Sequence, residues 1–299
     1  MSRFYIPSLI VGLSLLWGLS FPAISVGLEY LPPLLFAALR YDVAAVLLLG
    51  YAVVTTDNWW PTGRNNLIAV GGGGLFLVAG NGLLFVGQQT VPSGIAAIMQ
   101  ALVPIVTALW ALALLGERLS AVGAVGVAVG FLGIGLLVQP DPGNLFGDDT
   151  VGRLFIIGQV LSVSFGGVLI QRVNPSMERV PMTGWAMLVG SVVLHALSLV
   201  TGEVPDASGG EPIAIGAVVY LGVFSTAIAF VIYFTVLSER GAFEASLVTY
   251  LVPVIATIAG VVLLGESIGL LSVVGFLVVC VGFGLLKRQA IAEVLAAAG

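Results

Sequence analysis

Apolar positions run along this chain in long unbroken stretches separated by short polar segments. Ten of them reach about 20 residues, the length that one membrane-crossing helix needs. They cover 6–27, 33–55, 66–89, 93–115, 119–138, 152–171, 181–201, 212–237, 242–264 and 268–287. None shows the short alternating segments of a transmembrane barrel, so each is read as a helix. The longest connection, near 139–151, holds Pro140, Pro142, Gly143, Gly147, Asp148 and Asp149, the composition of a solvated turn. The first stretch carries Trp17 and Pro22, and no small-x-small cleavage pattern follows it. It reads as a retained span and not as a removed leader.

Composition narrows the class further. Of 299 residues, 59% are apolar and only 8% are charged, against about 25% charged in soluble domains. Too little polar surface is left for a soluble enzyme, a nucleic-acid binder or a disordered chain. One cysteine, Cys280, allows no disulfide framework and reads as a small packing residue. The expected fold is an all-α integral membrane protein in the cytoplasmic membrane. With both termini in the cytoplasm, Arg3, Arg64, Arg118, Arg172, Arg179, Arg240, Lys287 and Arg288 face inward, and only Arg153 lies on the outer segments. The outer segments gather Glu29, Asp141, Asp148, Asp149, Glu203, Asp206, Glu211 and Glu266 instead.

The chain also repeats itself at an offset of 149. Residues 94–137 align without gaps to 243–286, with 15 identities in 44 positions. Leu102-Val103-Pro104 matches Leu251-Val252-Pro253, and a later Leu-Leu-Gly-Glu ends at Glu117 in one copy and at Glu266 in the other. Gly126, Gly133 and Gly135 match Gly275, Gly282 and Gly284. The division expected is 1–142 and 143–299, with five spans in each part. Five is odd, so the second part must enter the membrane inverted relative to the first. Many secondary transporters are built in this way.

Four features carry a family likeness. They are Trp17-Gly18-Leu19-Ser20 in the first span, Arg40 in the second, the segment from Pro104 to Gly116-Glu117, and its copy from Pro253 to Gly265-Glu266. On these the chain resembles the drug/metabolite transporter superfamily, in its ten-helix EamA-type branch, over essentially its whole length. The resemblance implies a solute carrier, commonly an exporter of amino acids or other metabolites. It also implies a central cavity lined by spans one, three, four, six, eight and nine.

Polar side chains inside the spans are the candidates for substrate binding. Arg40 lies about seven residues into its span, roughly 10 Å deep. It reads either as a bidentate anchor for a substrate carboxylate or as a snorkelling side chain. Asn81, Gln100 and Gln159 can orient a zwitterion, because an amide both donates and accepts; they can equally join helices. Ser162, Thr226, Tyr233, Thr249 and Tyr250 are candidates in the second half, and Thr249 aligns with Gln100. Trp17 and Ser20 sit mid-span, where Trp17 either walls a pocket or fills the core. His195, the single histidine, is read as a helix-contact residue with a proton relay as the alternative. Glu117 and Glu266 each follow a glycine at a helix end and read as caps for the next helix, with gating as the minority reading. Pro104 and Pro253 are expected to kink their spans.

No Walker-type phosphate loop and no HExxH or Cys/His metal cluster occurs in the sequence, so no cofactor and no ATP coupling is expected. The expected function is a secondary alternating-access transporter that moves small metabolites, amino acids foremost, outward across the cytoplasmic membrane. Its partners are a small-molecule substrate, the lipid bilayer and protons as a candidate coupling ion, with no nucleic acid. Substrate identity, direction, coupling and oligomeric state stay open. A channel-like facilitator and an intramembrane lipid-modifying enzyme are the alternatives, and the lone histidine speaks against the enzyme.

Overall fold

The computed structural model describes residues 5–118, 120–138, 147–205, 207–240, 242–286 and 288. Helices and short connections make up these residues, and no strand occurs among them. Ten helices run in chain order: α1 (Tyr5–Leu28), α2 (Pro33–Thr55), α3 (Arg64–Gly87), α4 (Ser93–Leu115), α5 (Ala121–Val138), α6 (Asp148–Val173), α7 (Arg179–Val200), α8 (Pro212–Glu239), α9 (Ala242–Leu264) and α10 (Leu270–Leu286). Seven are long and apolar enough to cross a membrane over their described residues; α5, α9 and α10 are shorter apolar helices in that measure. The chain is a multi-pass membrane protein. The boundary expected at 142–143, and the core of the connection around it, lie outside the described residues.

Hydrogen bonds between connections sort the helix ends onto two faces. On one, Leu34 and Leu35 bond Glu203, Ser93 and Gly94 bond Glu266, and Thr90 bonds the Asp148 carbonyl. Glu29 and Glu211 belong to connections at the same ends, and this is called the acidic face here. On the other, Thr56 bonds Glu178, and Asn66 accepts from Ser176 and Met177. Trp185 donates there to the Trp59 carbonyl, and its ring packs edge-on to Trp60 at 4.6 Å, a typical interfacial aromatic anchor. Arg64, Arg118 and Arg179 lie at these ends, which form the basic face.

The 149-residue offset reappears in the backbone. Gly116 (φ +69°) ends α4 and Gly265 (φ +67°) ends α9, both in the left-handed region that only glycine adopts at little cost. Helices α3 and α8 each contain a π-helical segment, Gly73–Val78 and Tyr220–Ile228, at corresponding positions. The packing of α5 on α10 gives the symmetry itself. A Cβ on Gly126 would meet the Gly282 carbonyl at 2.5 Å, and one on Gly133 would meet the Gly275 carbonyl at 3.0 Å. Gly126 corresponds to Gly275 and Gly133 to Gly282, so each glycine touches the copy of the other's contact. That reciprocity is the signature of a two-fold relation. The pairing also makes α5 and its own copy antiparallel, as inversion requires. The small residues allow this close approach without a hydrophobic driving force between helices.

Proline breaks are not symmetric. The α4 helix is interrupted at Ala101–Leu102, one turn before Pro104. Pro104 offers no N–H to the Gln100 carbonyl, so the ladder fails there. Its first part, Ser93–Gln100, packs on α9, whereas its second, Val103–Leu115, packs on α6. The same deficit before Pro22 interrupts α1 at Leu19. At Pro253, where a kink is likewise expected, α9 runs as one uninterrupted helix.

Candidate functional site

Three of the expected polar residues are brought into one chain of hydrogen bonds. Gln100 Nε2 donates to Gln159 Oε1 at 2.9 Å, Gln159 Nε2 donates to Asn81 Oδ1 at 3.0 Å, and Asn81 Nδ2 donates to the Tyr41 hydroxyl at 2.6 Å. The chain crosses α4, α6, α3 and α2. Gln159, only 3% exposed, is its middle member, while Asn81 and Gln100 are half-buried. Gln100 ends the first part of the broken α4, so a carbonyl and an amide side chain sit together at a helix discontinuity. Transporter sites commonly use such discontinuities. Each amide spends one donor and keeps polar capacity in reserve.

Tyr41 connects this chain to Arg40. The guanidinium is 4.6 Å from the centroid of the Tyr41 ring and 5.4 Å from that of Phe85. Arg40 is 7% exposed, no carboxylate faces it among the described residues, and its Nε has no hydrogen-bond partner. Aromatic faces give a desolvated cation about 2 kcal/mol. That falls short of the several kcal/mol lost when an ion leaves water. The ring contacts therefore do not by themselves balance the burial of the Arg40 charge.

Toward the basic face, α1 and α8 meet through an aromatic group. Trp17 lies 5.6 Å from Tyr233 and 5.9 Å from Phe230, and its Nε1 donates to the Ser225 carbonyl. That carbonyl sits in the π-helical turn of α8, where the regular ladder is disturbed. In the corresponding bond Ser162 of α6 donates to the Phe76 carbonyl, within the π-helical turn of α3. Phe76 and Ser225 correspond at the 149 offset, so both irregular turns are pinned alike.

The remaining candidates make no hydrogen bond to the amide chain among the described residues. Ser20 bonds back to the Trp17 carbonyl of its own helix. Thr226 is fully buried and its hydroxyl lacks a partner. Thr249 is half-buried on α9. Tyr250 packs its ring 4.8 Å from Phe283 of α10, with its hydroxyl buried and unpartnered. Glu266 does not cap the helix after it; both carboxylate oxygens bond the first N–H groups of α4, in the other half. Tyr41, Phe85 and Phe230 escaped the sequence reading. The proximity of Tyr41 to Arg40 in sequence was the one available signal.

An apolar groove of about 540 Å³ opens between α1, α8 and α9, lined by Pro22, Val26, Ile213 and Leu264 among others. It contains neither Arg40 nor the amides, and its lining suits lipid.

Gln159→Leu keeps the side-chain volume but strands Asn81 Oδ1 and Gln100 Nε2. Each orphaned polar atom costs about 1–3 kcal/mol. The expected outcome is a melting temperature several degrees lower and roughly tenfold weaker solute binding, read by thermal unfolding and by competition in counterflow. A variant that melts like the parent and binds normally would remove the amide chain from the site.

The family described as EamA-like transporters matches residues 5–139 and again residues 150–287. An uncharacterized inner membrane transporter of Escherichia coli K12, YedA, is 34% identical over 91% of this chain and 89% of its own. An uncharacterized transporter of Archaeoglobus fulgidus is 28% identical over 91% of this chain and 95% of its own. A WAT1-related chloroplastic protein of Arabidopsis thaliana, At3g02690, is 28% identical over 91% of this chain and 66% of its own. One crystal structure superposes with a TM-score of 0.65 at 20% identity, over 98% of this chain and 99% of its own, a likeness of fold.

Proposed function

The chain belongs to the EamA-like transporter family, and from that premise we propose that it is a secondary carrier of small carboxylate-bearing metabolites, amino acids foremost, moved outward by alternating access. The observation that carries this reading is Arg40: a buried guanidinium with a free Nε, held over two aromatic rings and joined through Tyr41 to a chain of amides. A zwitterion presents the carboxylate that Arg40 lacks, and amide oxygens suit its ammonium group. Two five-helix halves, 1–142 and 143–299, rock against each other in this scheme. The two-fold packing of α5 on α10 supports it, because related halves supply two conformations of similar energy.

Arginine sidedness supports placing the basic face and both termini in the cytoplasm. The acidic face is then external. It is held shut by Glu203 across the start of α2 and by Glu266 across the start of α4. On the basic side the second part of α4 leaves α9 for α6, the arrangement expected of an opening toward the cytoplasm.

The test is counterflow of a labelled amino-acid mixture in proteoliposomes of the purified protein. Saturable exchange, competed by particular amino acids, is expected. Folded protein without such exchange would sink the amino-acid assignment and leave the transporter fold untouched.

A further inference from the structure

Ionisable side chains are scarce in the interior of the spans. Among the described residues, Asp42 is the one carboxylate more than two turns from either end of a span. His195 is the only histidine of the chain. The two meet: His195 Nε2 lies 2.7 Å from Asp42 Oδ2, joining α7 to α2, with the side chains 38% and 39% exposed. Neighbouring charges are engaged elsewhere. Arg40 and Tyr41 turn toward Phe85 and Asn81 of α3. Glu203 accepts from Leu34 and Leu35 with both oxygens. On α8, Tyr220 bonds the Leu16 carbonyl and Tyr233 faces Trp17, while Glu239 lies at the basic end. Arg64 of α3 and Arg179 of α7 are also at the basic ends.

We infer that Asp42 and His195 form the proton-binding site that couples this carrier to a proton gradient, with one proton per cycle. The inference rests on the carrier reading above. A carboxylate and an imidazole at hydrogen-bond distance are neutral together when they hold one proton beyond the bare carboxylate and neutral ring. Without it they leave a net negative charge within the membrane, which the apolar surroundings oppose. The contact between Asp42 and His195 therefore goes with proton binding. Helices α2 and α7 belong to different halves, so the contact lies across the joint that alternating access must work. The proton enters from water on one side, sits between Nε2 and Oδ2, and leaves to water on the other; no other bond changes. The 149 offset sets the stoichiometry. The counterparts of Asp42 and His195 are Ser191 and Val46, which do not titrate, so the inverted copy supplies no second site. Intramembrane ionisable residues mark coupling paths, and imidazole exchanges protons near neutral pH.

The experiment compares pH-driven accumulation with counterflow, using the labelled amino-acid mixture. One coupled proton gives about a tenfold accumulation ratio for each pH unit imposed. Wild-type protein is expected to approach that ratio. Asp42→Asn and His195→Gln are expected to lose accumulation while still exchanging solute at equal pH, which also shows them folded. Counterflow without any response to the gradient in wild type overturns the proton site but leaves the carrier intact. So does gradient-driven accumulation that survives in Asp42→Asn. If the mixture is not exchanged at all, a histidine-selective ¹⁵N label decides, because only one imidazole is present. Imidazole signals that are the same in wild type and in Asp42→Asn overturn the site, and signals that change on that substitution are expected.

Discussion

Arg40→Met is expected to lower transport of carboxylate solutes by about a hundredfold, since a hydrogen bond to a charged group contributes about 1.5–3 kcal/mol and a guanidinium offers two. Uncharged analogues, such as the amide of the same amino acid, should change by less than about threefold, the size of an ordinary packing adjustment. The rival role for Arg40 is structural, through its stacking on Tyr41 and Phe85. Stacking makes no distinction between solutes, so it predicts an equal loss for both. Stability separates the two roles again. Arg40 is buried without a carboxylate, and an apolar replacement of an uncompensated buried charge relieves the fold. The melting temperature of Arg40→Met should therefore hold or rise while carboxylate transport collapses. Arg40→Lys keeps the charge and loses the planar fork, so it should fall between the two. Competition in counterflow, with the acid against its amide, reads all three variants.

Much of the fold was legible because a membrane leaves few choices. Backbone groups in lipid must be satisfied within each segment, so a long apolar run is a helix and its ends are where polarity returns. The repeat was legible for a related reason: glycines such as Gly126 and Gly282 lie where backbones touch, and no other residue fits there. The site was legible only as a set of polar positions. Asn81, Gln100 and Gln159 are separated by 19 and 59 residues, and periodicity fixes the face of a helix, not the residue across from it. The same limit hid the pairing of Asp42 with His195, 153 residues away. Pro104 and Pro253 look alike in sequence, yet only the first accompanies a break in its helix. Local chemistry removes one hydrogen bond at each; tertiary packing decides whether the helix parts there.

Gly260→Ala and Glu266→Gln are both expected to unlatch the acidic face. Glu266 Oε1 accepts from Ser93 N at 2.7 Å and Oε2 from Gly94 N at 3.0 Å, at a helix start where negative charge is favoured. A Cβ on Gly260 would collide with Glu266 Oε2 and come within 2.9 Å of Ser93 Oγ. A side chain on Gly94 would come within 2.9 Å of Ile268 Cδ1 and 3.2 Å of Thr257 Cα, so the clamp depends on two glycines. Neutralising or displacing the carboxylate forfeits about 1.5–3 kcal/mol, which moves the closed-to-open ratio by roughly ten- to a hundredfold. A cysteine at Ile24, now 1% exposed beneath this face, reports the change in a Cys280→Ser background. Its labelling rate by a membrane-impermeant thiol reagent from the acidic side should rise by that factor in both variants. If Glu266 were only a helix cap, the melting temperature would drop and the labelling rate would stay put. Glu117 is the control. It corresponds to Glu266, but Ala111 stands in place of Gly260 and Phe243 in place of Gly94. Glu117 is exposed, and Glu117→Gln should leave labelling unchanged. Each copy of the repeat thus supplies one of the two glycines that the clamp requires, and neither glycine has a glycine as its counterpart. The halves are matched in backbone, but the side chains favour closure at the acidic face.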